Sequence, residues 1–453
     1  MQVLWARKAL VAGTWQSDVR LEIAGGRIVR ITPDTPADGH RVPLLVPAPT
    51  NSHSHALQRA MAGLTEKRGP AEGDSFWTWR QLMFRFLNDL SPDHVEAITA
   101  FVQMEMLEAG FGASVEFHYL HHRPGGVPYR NLAEMSERIA AAAETSGMGL
   151  TLLPVLYMQG GCDGRALAPG QQRFGCDLDL YARLLDGAEA ATRSLPDDTV
   201  LGTAPHSLRA VSRQGLAAVT ALRPDAPIHM HLAEQQAEVE EVQAAYGKRP
   251  VEWSVENLNL SRRWCLIHCT QMTPGETASL ARTGAVAGLC PLTEASLGDG
   301  IFDGIRWVEH DGAISVGSDS NIRISLAEEL RQLDTTQRLR DHSRAPFATF
   351  ERSTGQRLLE GLAQGGAQAA GRGAGQIAEG EWADLLALDA SHVDLDGLRP
   401  ETCLDTFVFA GDSGMIKDVW SAGRHLVQDG QHIRRNEITA AYRKTAAHLR
   451  SGL

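Results

Sequence analysis

Residues 51–59 read NSHSHALQR, which sets His53 and His55 one serine apart. Side chains at i and i+2 of a strand point to one face, so both imidazoles can reach a single ion. Alone, such a pair is equally read as two core or surface histidines. Further along, IHMHLAE puts His231 at the end of an apolar run with Glu234 three residues on. WCLIHC puts His268 near the end of the next run, and AISVGSDS puts Asp319 at the end of a late one. Taken singly, each could be a strand-end residue bonding a loop backbone. Together, polar groups of metal-binding type that close successive apolar strands point to one metal-dependent site. His229 lies deeper on the His231 strand and reads as a hydrogen-bonded core histidine. His118, His121 and His122 border a Gly-Pro loop and are expected to be largely solvated. Cys265 and Cys269 flank His268, a spacing that raises a thiolate zinc site, but no second close Cys pair accompanies them.

These residues need a scaffold that brings strand ends together. Helical-period segments at 91–110, 233–247 and 325–340 alternate with apolar strand candidates at 149–157, 226–234, 264–270, 285–290 and 313–319. Strand then helix, repeated, implies parallel strands joined by crossovers. The predicted fold class is α/β: a (β/α)8 TIM-type barrel whose C-terminal strand ends form the mouth. Residues 18–31 read as a β-hairpin about Gly25-Gly26, and residues 381–389 and 416–433 read as short strands and turns. Both chain ends are therefore expected in one small β-sandwich domain, 1–46 with 372–453, carrying a C-terminal helix. The barrel would span 47–371, with the small-residue run at 362–380 marking the boundary.

The formal net charge is -12 among 453 residues, which disfavours nucleic acid and anionic membrane as partners. No run approaches the ~18 apolar residues of a membrane helix, and the N-terminus lacks a signal-peptide pattern. Six cysteines in so long a chain argue against a disulfide framework. A soluble cytoplasmic protein is expected.

Beyond these patterns the wording resembles a known family. HSH in the first barrel strand, HxxE, a later strand histidine and a late SDS aspartate resemble the amidohydrolase superfamily in its mononuclear deaminase branch. HSHALQRAMAGL, DSFWTWRQLM, EFHYLHH, HSLRAV, HLAEQQAEV, TEASLGDGIF and GSDSNIRISL are similar to the formimidoylglutamate deiminase family. The resemblance implies that His53, His55, His231 and Asp319 bind one divalent ion, zinc first and iron(II) as the alternative. It implies that Glu234, His268 and Asp319 are catalytic. It also implies that Gln58, Arg80, Tyr119, His206 and Arg209 bind a small acidic amidine, N-formimino-L-glutamate, hydrolysed to N-formyl-L-glutamate and ammonia in histidine degradation. Arginine suits such a substrate because its fork of N–H groups binds carboxylate bidentately. Arg323, four residues past Asp319, reads first as a surface residue at a helix start. The candidate strands at 149–157 and 200–206 contain no lysine to bridge two metals, which favours one ion. By analogy within the superfamily, a homodimer is expected. Ser52 and Leu57 depart from the family wording, where an apolar residue and an aromatic are expected. The alternative reading is a deaminase of the same superfamily acting on a purine or adenosyl-type substrate. It would call for stacking aromatics and amides where an acidic amidine calls for arginines.

Overall fold

The computed structural model describes residues 1–66 and 76–451, without the side chains of 76–78 and 80–82. Eight parallel strand positions follow one another through the middle of the chain. Thr50–Ser54, Ala113–His118, Gly149–Leu156 and Val200–Leu201 pair in sequence order, with Ala204–Pro205 continuing the fourth against the third. Ile228–Leu232, Trp264–His268, Val286–Leu289 and Ala313–Val316 form the other half. Parallel bridges Thr203 to Ile228 and Ser54 to Asp319 join the halves on both sides, so the strands close into a barrel. Nearly every residue of these strands is buried, as expected for parallel strands covered by helices outside and packed side chains inside.

The helices begin where short polar side chains can take the first free N–H groups. Ser91 accepts from His94 N to open Pro92–Glu108, and Thr273 with Glu276 forms a reciprocal cap on Pro274–Ala281. Ser325 caps Leu326–Asp341 by accepting from Glu328 N. The helix Thr354–Ala370 seals the seam between the last and first strands. A Cβ on Gly365 would fall 1.9 Å from the Ile314 carbonyl oxygen, and one on Gly366 would fall 2.9 Å from that of Thr50. Small residues at 362–370 therefore serve close helix-to-strand packing. The turn that leaves the barrel is Gly371, in the left-handed region at φ 66°.

Both chain ends share one eight-stranded sheet. Gln2–Val11, Thr14–Ala24, Arg27–Thr32 and His40–Pro47 come from the N-terminal side, and Leu385–Leu388, Ile416–Ser421, Arg424–Gln428 and Gln431–His432 from the C-terminal side. The hairpin at Gly25-Gly26 is present, both glycines at positive φ. A Cβ on Gly26 would meet the Ala422 carbonyl oxygen at 2.7 Å, so the turn also packs on the far end of the chain. Leu4, Leu21, Ile28, Leu45, Leu385 and Trp420 belong to an apolar cluster separate from the barrel's. The C-terminal helix Arg435–Arg450 lies on Pro92–Glu108, where Tyr442 stacks on Phe101 at 3.9 Å. No described helix is long and apolar enough to cross a membrane.

Candidate metal centre and active site

The mouth of the barrel is built by the turns that end its strands. Ala233, His268, Cys269, Asp319 and Asn321 all lie in the left-handed region, with φ between 45° and 70°. For residues other than glycine this costs about 1–2 kcal/mol each, and such strain persists where surrounding structure enforces it. Here it turns the side chains of three strand exits into one space. The first and last strands meet tightly: a Cβ on Gly317 would sit 2.5 Å from the backbone N and O of His53. Asp319 N donates to His53 O at 3.0 Å, and His55 N donates to Asp319 O at 2.9 Å. Asn51, Ser318, Asn321 and Ser54 add a buried hydrogen-bond chain across the same seam.

One ligating atom each from His53, His55, His231 and Asp319 lies within 4.8 Å of every other. His55 Nδ1 lies 3.0 Å from the Phe117 carbonyl oxygen and His231 Nδ1 lies 3.3 Å from that of His206. When each Nδ1 carries the proton and donates, Nε2 is left with its lone pair facing the cluster. Asp319 Oδ1 is 3.5 Å from His53 Nε2 and 3.4 Å from His55 Nε2, near in charge but too long for directed hydrogen bonds. Neither ring nitrogen of the fully buried His53 has a hydrogen-bond partner among the described residues. A buried polar atom without a partner is costly, and a cation drawing in its lone pair removes that cost. Three imidazole nitrogens and one carboxylate oxygen are a donor set that fits a divalent ion, zinc among them. Burial lowers the pKa of His53 to about 3 and holds His231 well below the usual value, which favours the neutral, ligating form. Burial opposes ionisation of Asp319, but the imidazoles of His53, His55 and His268 hold its carboxyl below the ordinary range.

Beside this cluster stand Glu234 and His268. His268 Nε2 lies 3.7 Å from Glu234 Oε1 and 3.9 Å from Asp319 Oδ2. Its Nδ1 lies 3.3 Å from Glu294 Oε1, which also accepts from Cys290 N at 2.8 Å. Burial works against charge on His268, yet Glu234, Glu294 and Asp319 outweigh it and raise its pKa well above the usual imidazole value. Burial pushes the Glu234 carboxyl up to about 7, partly offset by His268. Glu238 accepts from the backbone N–H groups of Ala233 and Glu234 and so holds the turn that presents Glu234.

A single cavity joins these groups to Gln58, Tyr119, His206 and Arg209. Gln58 Nε2 donates to the Tyr119 hydroxyl at 2.7 Å. The His206 ring lies nearly parallel to that of His231, their centroids 5.0 Å apart. Arg209 is buried at the wall. Arg80 belongs to the helix Phe76–Asn88, but its side chain lies outside the described residues. The cavity also has an aromatic and apolar wall that sequence reasoning did not name: Trp79, Met83, Phe84, Tyr157, Phe174 and Leu297. Tyr157 directly follows a barrel strand, so the strand-end argument could have found it. Glu238 and Glu294 were equally missed. Both lie within segments that resemble the family, HLAEQQAEV and TEASLGDGIF, but their task is to hold another side chain, which the sequence alone does not single out.

One sequence expectation changes. His118, His121 and His122 are buried, not solvated. The segment Pro169–Phe174 covers their loop: His121 and His122 both donate backbone N–H to the Arg173 carbonyl, and their rings face Val155 O and Gly175 O. Cys265 and Cys269 do not form a ligand group with His268; the thiol near it is that of Cys290, with Glu294. His229 Nε2 meets Ala369 O at 2.7 Å in the core. Arg323 pairs with Glu328 at the surface.

The chain matches two family models: the Amidohydrolase family over residues 44–426, and the N-terminal domain of the formimidoylglutamate deiminase HutF over residues 1–41. It is 44% identical to a formimidoylglutamate deiminase of Pseudomonas aeruginosa, over 99% of this chain and 100% of that one. It is 27% identical to a 5-methylthioadenosine/S-adenosylhomocysteine deaminase of Nitratidesulfovibrio vulgaris, over 92% of this chain and 89% of that one. The crystal structure of an amidohydrolase from Brucella melitensis superposes with a TM-score of 0.94 at 44% identity, over 99% of this chain and 100% of that chain. A zinc-bound adenosine deaminase from Xanthomonas campestris reaches a TM-score of 0.82 at 20% identity, over 99% of this chain and 98% of that chain, a likeness of fold.

Proposed function

Because the chain belongs to the amidohydrolase family and, within it, to the formimidoylglutamate deiminases, we propose that it hydrolyses N-formimino-L-glutamate to N-formyl-L-glutamate and ammonia, a step of histidine degradation. The observation that carries this reading is the meeting, in one cavity, of Glu234, His268 and Asp319 with Arg209, Gln58 and Tyr119. Proton-handling groups at one end and donors for a carboxylate at the other match a substrate with an amidine head and an acidic tail.

His53, His55, His231 and Asp319 would hold one divalent ion, zinc in the first instance and iron(II) as the alternative. When bound, such an ion supplies acidification of water, moving its pKa from about 15.7 toward 7. The formimino group is cationic at neutral pH, and Glu234 would pair with it. Asp319 would take the proton of the attacking water. The water oxygen bonds to the formimino carbon, giving a tetrahedral intermediate. Glu234, a carboxylate while it pairs with the cation, would receive the water's proton from Asp319 and pass it to the terminal nitrogen; Asp319 would take the remaining hydroxyl proton as the C–N bond breaks and ammonia leaves. His268, held cationic by its carboxylate neighbours, would stabilise negative charge developing on oxygen. Arg209, Arg80, His206, Gln58 and Tyr119 would orient the glutamate portion.

The same proposal assigns residues 1–46 with 372–453 to a terminal domain and 47–371 to the barrel. The shared terminal sheet and its separate apolar cluster support that division. A cytoplasmic homodimer is proposed by analogy with the superfamily.

The aromatic wall of the cavity favours a second reading, a purine or adenosyl-type substrate stacked on those rings. Ammonia release measured with N-formimino-L-glutamate, N-formimino-L-aspartate and guanine separates the two. Turnover of the first well above the others is expected. Preferred turnover of guanine would overturn the assignment.

A further inference from the structure

A second group of ligand-type side chains lies in the terminal sheet, outside the barrel mouth. His40 opens the strand His40–Pro47, Asp418 lies on Ile416–Ser421, and His425 on Arg424–Gln428. One ligating atom from each lies within 4.8 Å of the other two. His425 Nε2 is 2.8 Å from Asp418 Oδ1, and His40 Nε2 is 3.8 Å from Asp418 Oδ2. Asp418 is 3% exposed, and its Oδ2 has no hydrogen-bond partner among the described residues. A plain Asp–His hydrogen bond accounts for Oδ1 and leaves Oδ2 unexplained, a buried acceptor aimed toward His40. The rings are held in place. His425 lies flat on the Trp420 indole at 4.3 Å and 14°, and His40 stands edge-on to both, at 4.8 Å and 5.6 Å.

We propose that His40, Asp418 and His425 form a second zinc site that clips the two ends of the chain together. Two imidazoles and one carboxylate favour zinc over calcium or magnesium, which prefer all-oxygen shells. Tetrahedral ligands at about 2.0–2.1 Å from zinc lie roughly 3.3 Å apart, between the two separations present here. His425 would give up its hydrogen bond to Asp418 and move outward slightly, and His40, exposed, would move inward. Water would take the fourth position. The site draws one ligand from the N-terminal part of the sheet and two from the C-terminal part. Zinc bound there stabilises the folded sheet, because the unfolded chain does not hold the three side chains together.

The test is zinc content and thermal midpoint of the full chain, stripped of metal and dialysed against zinc. Wild type is expected to take up two ions per chain. His40→Gln and His425→Gln are each expected to take up one, to release ammonia at an unchanged rate, and to lose the zinc-dependent rise in midpoint that remains in wild type at saturation of the mouth site. His40 is at the surface, so its variant keeps the buried Asp418–His425 pair and the fold. His231→Ala should also bind one ion, now at the terminal sheet, which separates this proposal from the reading of the mouth. Wild type binding a single ion that His40→Gln keeps and His231→Ala loses, or His40→Gln keeping two, would overturn it.

Discussion

At the N-terminal ends of the barrel strands, Asp198 accepts from Arg424 Nη1 and Nη2 at 2.8 Å each and from Arg372 at 3.0 Å. Arg372 also bridges to both oxygens of Asp384, and Asp384 Oδ1 accepts from Ala422 N at 2.6 Å. At the C-terminal ends, His53, His55, His231 and Asp319 are equally buried, yet Asp319 Oδ1 stands 3.4–3.5 Å from the nearest nitrogens of His53 and His55, and the four ligating atoms converge within 4.8 Å without directed hydrogen bonds from Asp319 to those two imidazoles. The polar atoms of the lower cluster are met by protein partners, the Arg372 Nε excepted, and tie the barrel to the terminal sheet. The upper one turns its atoms toward a common centre. Charge satisfied by protein is structural; charge that converges without being satisfied is a site for something else.

That contrast can be broken by substitution. Glu234→Gln should cut ammonia release by about 10²–10⁴-fold, the usual worth of a general acid or base, with an unchanged thermal midpoint. A wild-type rate would remove Glu234 from proton transfer. Asp198→Asn should do the reverse, costing about 3–5 kcal/mol of stability by denaturant titration while leaving kcat alone. Burial opposes ionisation of Asp198, but Arg424 and Arg372 hold its pKa below the ordinary value. A depressed folded pKa gives stability that is complete above the unfolded value of about 3.9 and fades as pH falls through the folded one. The gap between wild type and Asp198→Asn should thus be full at neutral pH and close in acid. A constant gap would show that the charge of Asp198 is not its source.

Smaller effects sharpen the upper cluster. Arg209→Met should lower kcat/KM by about 30–5,000-fold if a substrate carboxylate docks on it, the range for losing one partner of a buried charged pair. Unchanged turnover would take Arg209 out of the pocket. Tyr119→Phe removes a hydroxyl already bonded to Gln58. Its cost should be about 1 kcal/mol, or roughly fivefold in kcat/KM.

The upper cluster was legible in the sequence to a degree the lower one was not. His231, His268 and Asp319 close apolar runs, His53 and His55 share one face of a strand by their i, i+2 spacing, and one barrel rule brings all such ends together. Asp198, Arg372, Asp384 and Arg424 share no such rule. They meet because the terminal sheet returns to the barrel's base, a long-range packing fact that no local pattern encodes. The hairpin at Gly25-Gly26 was readable from its turn, whereas Gln2–Val11 and His40–Pro47 were not, since partly exposed and fully covered residues mix along them. Burial of His118, His121 and His122 was missed for the same reason: the covering segment comes from some fifty residues away.

The most direct test is metal content together with activity. Wild type and His231→Ala would be purified without chelator, analysed for transition metals, and assayed for ammonia release from N-formimino-L-glutamate. His231→Ala should carry one ion fewer per chain than wild type and lack turnover, and chelation of wild type should abolish a rate that added zinc or iron(II) restores. Folded, metal-free protein that still turns over at the full rate would contradict the account.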